Sequence, residues 1–268
     1  MRSFLLLAIA VACTADTPPP AADEIVQRSL EAMAADWKQA PNYSFSERDI
    51  ESKHKSAPTV KTYEVLMIDG SPYHELIAVD DKPLSPGERA EEKQKLHQEI
   101  ERRQHESERE RARRVSKYEK EREHDHALML DMANAFIFQL AGSELVDGHD
   151  CWVLDATPKP GYHPPDHNAK VLSGMQGRLW IDKSQYQWAR VKAQVVRPVS
   201  MYGFAKVSPG TRFLLEQGPV AGGLWLPTRF SVQVKATALG FFDEDSTDDE
   251  TYSAYKPMPA ESSLLASH

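Results

Sequence analysis

Apolar positions along the chain change their period several times, and each change predicts an element. Behind Asp23, Ile25, Val26, Leu30, Met33 and Trp37 recur at helical spacing, and Pro41-Asn42 stops them. This predicts an amphipathic helix with one apolar face. From Tyr43 the period falls to two. Tyr43 and Phe45 alternate with Ser44 and Ser46, then Tyr63, Val65 and Met67 alternate with Glu64, Leu66 and Ile68, and His74–Val79 follows the Asp69-Gly70 turn. These read as strands. The second half has the same texture. Phe138–Val146, the Asp147-Gly148 turn, Cys151–Leu154, Arg178–Asp182, Trp188–Val196, Thr211–Gln217, Leu224–Leu226 and Phe230–Ala236 give a succession of strands joined mostly by tight turns. Asp243–Glu250 reads as an acidic loop, and Tyr252 and Tyr255 mark a last strand. Sequential hairpins imply one wide antiparallel sheet. A sheet that wide curls, and its hollow side must be filled by helices or a ligand.

One stretch breaks the β pattern. Ser85-Pro86 is a helix start, a capping Ser with Pro at the first helical position. The 38 residues from Glu88 to Asp125 then carry 12 acids and 12 bases, with oppositely charged neighbours such as Glu91/Lys95, Glu99/Arg103 and Glu110/Arg114. Leu96, Ile100, Val115 and Tyr118 are its sparse apolar anchors. A helix polar nearly all round is solvated or bridging. Beyond it, Leu128, Met132, Ala135 and Phe136 give an apolar face that should dock.

Charge changes the picture only after that stretch is set aside. The 268 residues sum to −8, and the whole deficit lies outside 88–125. An acidic chain of this kind is not built for nucleic acid, which asks for a basic surface.

The start of the chain reads as an address. Met1-Arg2-Ser3 precedes the apolar run Phe4–Val11, too short to span a bilayer and followed by small residues and prolines. A signal peptide over 1–15 is expected, with a linker over 16–21. Ala-Val-Ala-Cys at 10–13 resembles a lipobox, which would make Cys13 a lipidated N-terminus; cleavage after Ala12 or Ala15 would release a soluble protein. Membrane association is expected only in the first case. An exported domain left with Cys151 alone depends on its core rather than on disulfides.

Candidate chemistry is sparse. His124-Asp125-His126 has metal-ligand residue types but the wrong spacing for one helix face. His149, His163 and His167 flank a proline-rich loop without accompanying cysteines. The acids of 243–250 lack the EF-hand glycine and spacing. Cys151, beside Trp152, reads as a packing residue. No nucleophile elbow, phosphate loop or dinucleotide fingerprint occurs. No catalytic residue, metal or cofactor is assigned. The large apolar residues on the strands are more suggestive: Trp180, Val191, Trp225, Phe230 and Val232 are the expected lining of an apolar cavity.

Several short motifs carry a resemblance. Gly177-Arg178-Leu179-Trp180-Ile181-Asp182-Lys183, Pro209-Gly210-Thr211, Gly222-Gly223-Leu224-Trp225-Leu226-Pro227-Thr228 and a closing strand with Tyr255 resemble the outer-membrane lipoprotein-sorting superfamily of bacterial envelope proteins. That superfamily includes lipoprotein carriers and a sensor that binds an anti-sigma factor. The likeness covers roughly 22–258, with 259–268 as a tail. It implies an α+β fold: a curved, unclosed antiparallel β half-barrel with helices across its concave face. The charged helical segment 86–126 is an insertion without counterpart in the small carriers. The resemblance implies a non-enzymatic protein of the periplasm or outer-membrane periphery that binds a lipid or lipoprotein acyl chains. An interaction or stress-sensing module using helix 88–125 as its partner surface is the alternative, and a histidine-based metal hydrolase the remote third.

Overall fold

The structure, a computed structural model, describes residues 19–53, 56–166, 169–201, 205–238, 242–243 and 245–258; the expected signal peptide over 1–15, with Cys13, lies outside them. Helix α1 (Ala22–Gln39) leads into β1 (Tyr43–Lys53), β2 (Thr59–Ile68), β3 (Ser71–Val79) and the short β4 (Lys82–Pro83). Helices α2 (Pro86–Gln104) and α3 (Glu108–Ala135) follow. Then come β5 (Phe136–Val146), β6 (His149–Pro158), a 3-10 turn over Ala169–Gly174, β7 (Met175–Asp182) and β8 (Trp188–Val195). The chain closes with β9 (Val199–Met201), β10 (Ala205–Val207), β11 (Arg212–Pro219), β12 (Trp225–Val234), β13 (Ala236–Ala238), β14 (Phe242–Asp243) and β15 (Ser246–Pro257).

Eleven of these strands form one sheet in the order β4-β3-β2-β1-β15-β12-β11-β8-β7-β6-β5. Every adjacent pair is antiparallel. The outer strands β4 and β5 do not pair, so the sheet is not closed into a barrel. It is an α+β half-barrel, with one helix bridging its two sides: α3 touches β3 near one edge and β5 at the other. The strands β9, β10, β13 and β14 form a small second sheet. They continue the arms of β8, β11, β12 and β15 beyond the end of the large one.

Cross-strand register sorts side chains onto two faces. Leu154, Leu179, Val191, Leu215 and Phe230 stand opposite one another in turn, and so share a face. This is the concave face. Its main core joins Leu154, Leu179, Val191 and Val195 to Ile25, Val26 and Met33 of α1, with Leu128, Met129 and Met132 of α3 packed against them. The α1 docking is also polar. Trp188 Nε1 donates to the fully buried Ser29 Oγ at 2.9 Å. Asp36 accepts from Gln187 Nε2 and from the Trp225 backbone amide, both at 2.8 Å.

The charged segment is two helices, not one. The break at His105–Ser107 follows from a second capping box, in which Ser107 accepts from the Glu110 amide and the Glu110 carboxylate accepts from Ser107. The first box, Ser85 with Glu88, starts α2 where Ser85-Pro86 predicts it. The apolar stretch from Leu128 belongs to the same helix as the charged residues before it, and that helix ends at Ala135.

Leu96 is buried at the α2 contact, and arginines supply the docking that so few apolar anchors leave open. Arg103 is 6 % exposed and donates to the carbonyls of Ile68, Ser71 and Pro72, while Glu99 holds its Nε at 2.6 Å. Arg114 reaches the Asp69 carbonyl and Ser71 Oγ. Arg122 donates to the Trp37 carbonyl and lies over the Trp37 ring. Of the expected helix pairs, Glu99/Arg103 forms; Lys95 pairs with Glu92 instead, and Arg114 with Glu106 because Glu110 is used in the cap.

The acidic loop expected over Asp243–Glu250 is largely strand. From Ser246 it is the first half of β15, which sits between β1 and β12. Asp249 is held by a bidentate bond from Arg229, at 2.6 and 3.0 Å, which neutralises one of its acids on the outer face.

Candidate functional site

The concave face divides into an apolar part and an acidic part. Its apolar part is built by two adjacent cross-strand rows. Val191, Leu215 and Phe230 form one, and Ala193, Phe213 and Val232 the next. Val191 is buried under the helices, whereas Phe213, Leu215, Phe230 and Val232 are only half-buried. Phe213 and Leu215 pack against the core, whereas Phe230 and Val232 on β12 stand half-buried outside it.

Continuing the same rows across β15 and β1 changes the chemistry. Phe230 stands opposite Glu250, which stands opposite Asp49; Val232 stands opposite Asp248. Glu47 stands opposite Tyr252, one position along. With Glu51, which stands opposite Asp248, five carboxylates therefore share this part of the concave face. Burial, then the charges of Glu250, Asp49 and Asp248, push the Glu47 carboxyl up to about 7. Burial and the neighbouring Asp248 and Glu250 push Asp49 up to about 6. Burial raises Glu250 as well, partly offset by a short hydrogen bond from the Tyr252 hydroxyl. Phe45 packs edge-on to Tyr252 and tilted against Tyr255, whose hydroxyl donates to the Pro227 carbonyl at 2.6 Å. Aromatic rings thus floor the acidic part.

The five expected lining residues do not share one surface. Val191, Phe230 and Val232 face the helices. Trp180 stands opposite Arg190 on the other face, where it joins Val146, Cys151, Val153, Ala189 and Trp225 in a separate buried cluster. Trp180 Nε1 donates to Glu144 at 2.8 Å and Trp225 Nε1 to Gln185 at 3.2 Å. Phe213 and Leu215, which complete the apolar rows, are the residues missed. The apolar run Phe213-Leu214-Leu215 between Arg212 and Glu216 marks the strand, but its face follows only from the register with Val191 and Phe230.

The other candidates fall into ordinary structural roles. Cys151 is fully buried, and burial pushes its thiol up to about 11, away from nucleophilic use. His126 stacks on Trp37 with ring centroids 4.6 Å apart. His149 Nδ1 lies 3.5 Å from Asp182 and its ring packs edge-on to Trp225. His163 Nδ1 contacts its neighbour's carbonyl, that of Gly161, at 2.6 Å; His167 lies outside the described residues. Among the described residues no group of three or more His, Cys, Asp or Glu is placed to hold a metal ion. No helix among them is long and apolar enough to cross a membrane.

No protein-family model matches the chain, and no curated protein matches it. Solved structures do. A LolA superfamily protein of Nitrosomonas europaea matches at 12 % identity and a TM-score of 0.34, over 92 % of this chain and 97 % of that one. A domain described as an outer membrane lipoprotein-sorting protein, from Vibrio parahaemolyticus, matches at 10 % identity and a TM-score of 0.34, over 86 % and 92 %. The MucA/MucB complex of Pseudomonas aeruginosa matches at 13 % identity and a TM-score of 0.24, over 89 % and 99 %. At these identities and scores none brings a residue correspondence with it.

Proposed function

We propose that this is a non-enzymatic protein of the bacterial cell envelope, which binds a lipid or the acyl chains of a lipoprotein in the hollow of its half-barrel. The observation that carries the reading is the pair of half-buried rows, Leu215/Phe230 and Phe213/Val232, exposed inside the curl and continuous with the buried Val191. Apolar surface held open inside a folded domain is stabilised by an apolar ligand, at about 0.8 kcal/mol for each CH₂ taken from water. The signal-like N-terminus places such a domain in the periplasm or at the outer-membrane periphery. Lipidation at Cys13 would anchor it there. The name of the lipoprotein-sorting neighbour agrees with this reading without adding to it.

A second reading makes the charged helices a protein-binding surface. It is favoured by a cleft of about 920 Å³ between α2 and α3, lined by Arg113, Lys117 and Lys120 among others. Arg113 and Lys120 have no carboxylate partner among the described residues. Two measurements separate the readings. Mass spectrometry of the purified protein under native conditions should find a co-purifying lipid, and a fluorescent fatty acid should be taken up. Deleting residues 88–125 should leave a protein-binding reading without its partner while lipid binding persists. Absence of both bound lipid and fatty-acid uptake would overturn the first reading.

A further inference from the structure

The outer face of the sheet, opposite the helices, carries a second feature that acyl-chain binding does not use. It is a groove of about 680 Å³ crossing β6, β7, β8, β11 and β12. Register lines up its side chains. Gln176, Gln194, Arg212 and Gln233 stand opposite one another on four successive strands. Strands are about 4.8 Å apart, so these four make a row of about 14 Å. All four are exposed, and among the described residues none makes a side-chain hydrogen bond or ion pair. One position along, Lys192 stands beside Arg178.

The groove is also basic, in a protein whose formal charge is −8. Its lining has four cations, Arg178, Lys192, Arg212 and Arg229, against the single carboxylate of Asp155. Arg178 is paired with Asp155 at 2.7 Å, and Arg229 with Asp249 at 2.6 Å. Lys192 has only the Trp180 ring, 5.7 Å away, and Arg212 has no partner among the described residues. Two uncompensated cations thus accompany the three amides, Arg212 within the row and Lys192 beside it.

We infer that this outer groove binds an acidic oligosaccharide, one bearing carboxylate or phosphate groups, along the row Gln176–Gln194–Arg212–Gln233. Each glutamine amide donates and accepts, which suits hydroxyls that do both. Arg212 and Lys192 supply the charge for the acidic groups. An acidic peptide offers backbone groups to the same amides, so hexaglutamate is the competitor that the test must separate. Nucleic acid is disfavoured because Trp180, the neighbouring large aromatic, is buried and offers no face for a base to stack on.

The test is calorimetric titration of the full chain with four probes. These are a hexamer of galacturonic acid, a phosphate-bearing mannose hexamer, neutral maltohexaose and hexaglutamate. We expect one or both acidic sugars to bind at least tenfold more tightly than maltohexaose and hexaglutamate, the better of the two identifying the acidic group. Arg212→Ala with Lys192→Ala should weaken that sugar at least tenfold. Gln194→Ala with Gln233→Ala, which keeps every charge, should weaken it about threefold or more. All four positions are exposed, so unchanged thermal melting will show that the variants fold. Equal binding of hexaglutamate, full retention of affinity in the glutamine variant, or failure of both acidic sugars to bind would each overturn the inference.

Discussion

The acids facing one another across β1 and β15 have an energetic consequence that a single residue can report. Asp49 stands opposite Glu250 and Glu51 opposite Asp248, and like charges in directly opposed positions oppose strand pairing. The seam tolerates this by holding protons. Glu47 is pushed up to about 7 and Asp49 to about 6, both above their unfolded values, so the folded chain binds more protons than the unfolded one between about pH 4 and 7. Stability therefore falls as pH rises through that window. Glu99 works the other way. Its bonds with Arg102 and Arg103 hold it down at about 2, so its contribution is present above about pH 4.5 and is lost as pH falls. Denaturant midpoints should peak in weak acid and drop toward pH 8. One pKa unit is about 1.4 kcal/mol, and solvent screening of these half-exposed groups leaves about 1–2 kcal/mol for the drop. Glu47→Gln combined with Asp49→Asn should flatten the alkaline side of that profile. A midpoint that rises from pH 5 to pH 8 in the unaltered protein would contradict the argument.

Among the elements, α2 and the charged first part of α3 are the least conventional, because arginines supplement sparse apolar anchors such as Leu96 in attaching them. Arg103 is the test. Truncating it to Ala leaves three carbonyls of the β2–β3 hairpin without their donor, at a cost of about 3 kcal/mol. Exposed Arg89 makes no such bonds among the described residues, and Arg89→Ala should cost less than about 0.5 kcal/mol. Urea denaturation of the two variants compares them directly. Helix starts were legible from local chemistry: Ser85-Pro86 predicts α2, and Ser107 with Glu110 would equally have marked α3. The docking was not, since an Arg that binds a hairpin thirty residues away looks in sequence like any other charge on a solvated helix. The same limit hid β15. Asp248, Asp249 and Glu250 read as a loop by composition, yet pairing with β1 on one side and β12 on the other, with Arg229 holding Asp249, makes them a central strand. Propensity describes a segment alone, while a central strand is decided by its neighbours.

For the whole molecule, one wide antiparallel sheet was within reach of the alternation pattern and the open half-barrel was what the family resemblance implied, but the pairing of the first strand with the last was legible in neither. Trp180 directly follows Leu179 in β7, so alternation alone sets it on the other face from the Leu179/Val191 row, and the register shifts at Trp180/Ile181 and Glu216/Gln217 fall beyond that row. Trp180 and Trp225 fill the second cluster, while Phe213, Leu215, Phe230 and Val232 stay half-buried on the concave face. That assignment predicts a chain-length dependence. If acyl chains lie along these rows, each added CH₂ contributes about 0.8 kcal/mol, or roughly a fourfold gain in affinity. The gain should end where the chain outgrows the hollow. A series of fatty acids from eight to eighteen carbons should therefore give a rising then level affinity. Replacing Leu215 and Phe230 together by Ser should flatten the rising part and weaken the best ligand at least tenfold. The same replacement should leave the outer groove's ligand unaffected, because residues 215 and 230 point to the opposite face from Arg212 and Gln233. Replacing Trp180 would do the reverse of what a cavity-lining role requires. It should lower stability by about 3 kcal/mol through lost packing while the chain-length slope in the surviving folded protein stays as it was.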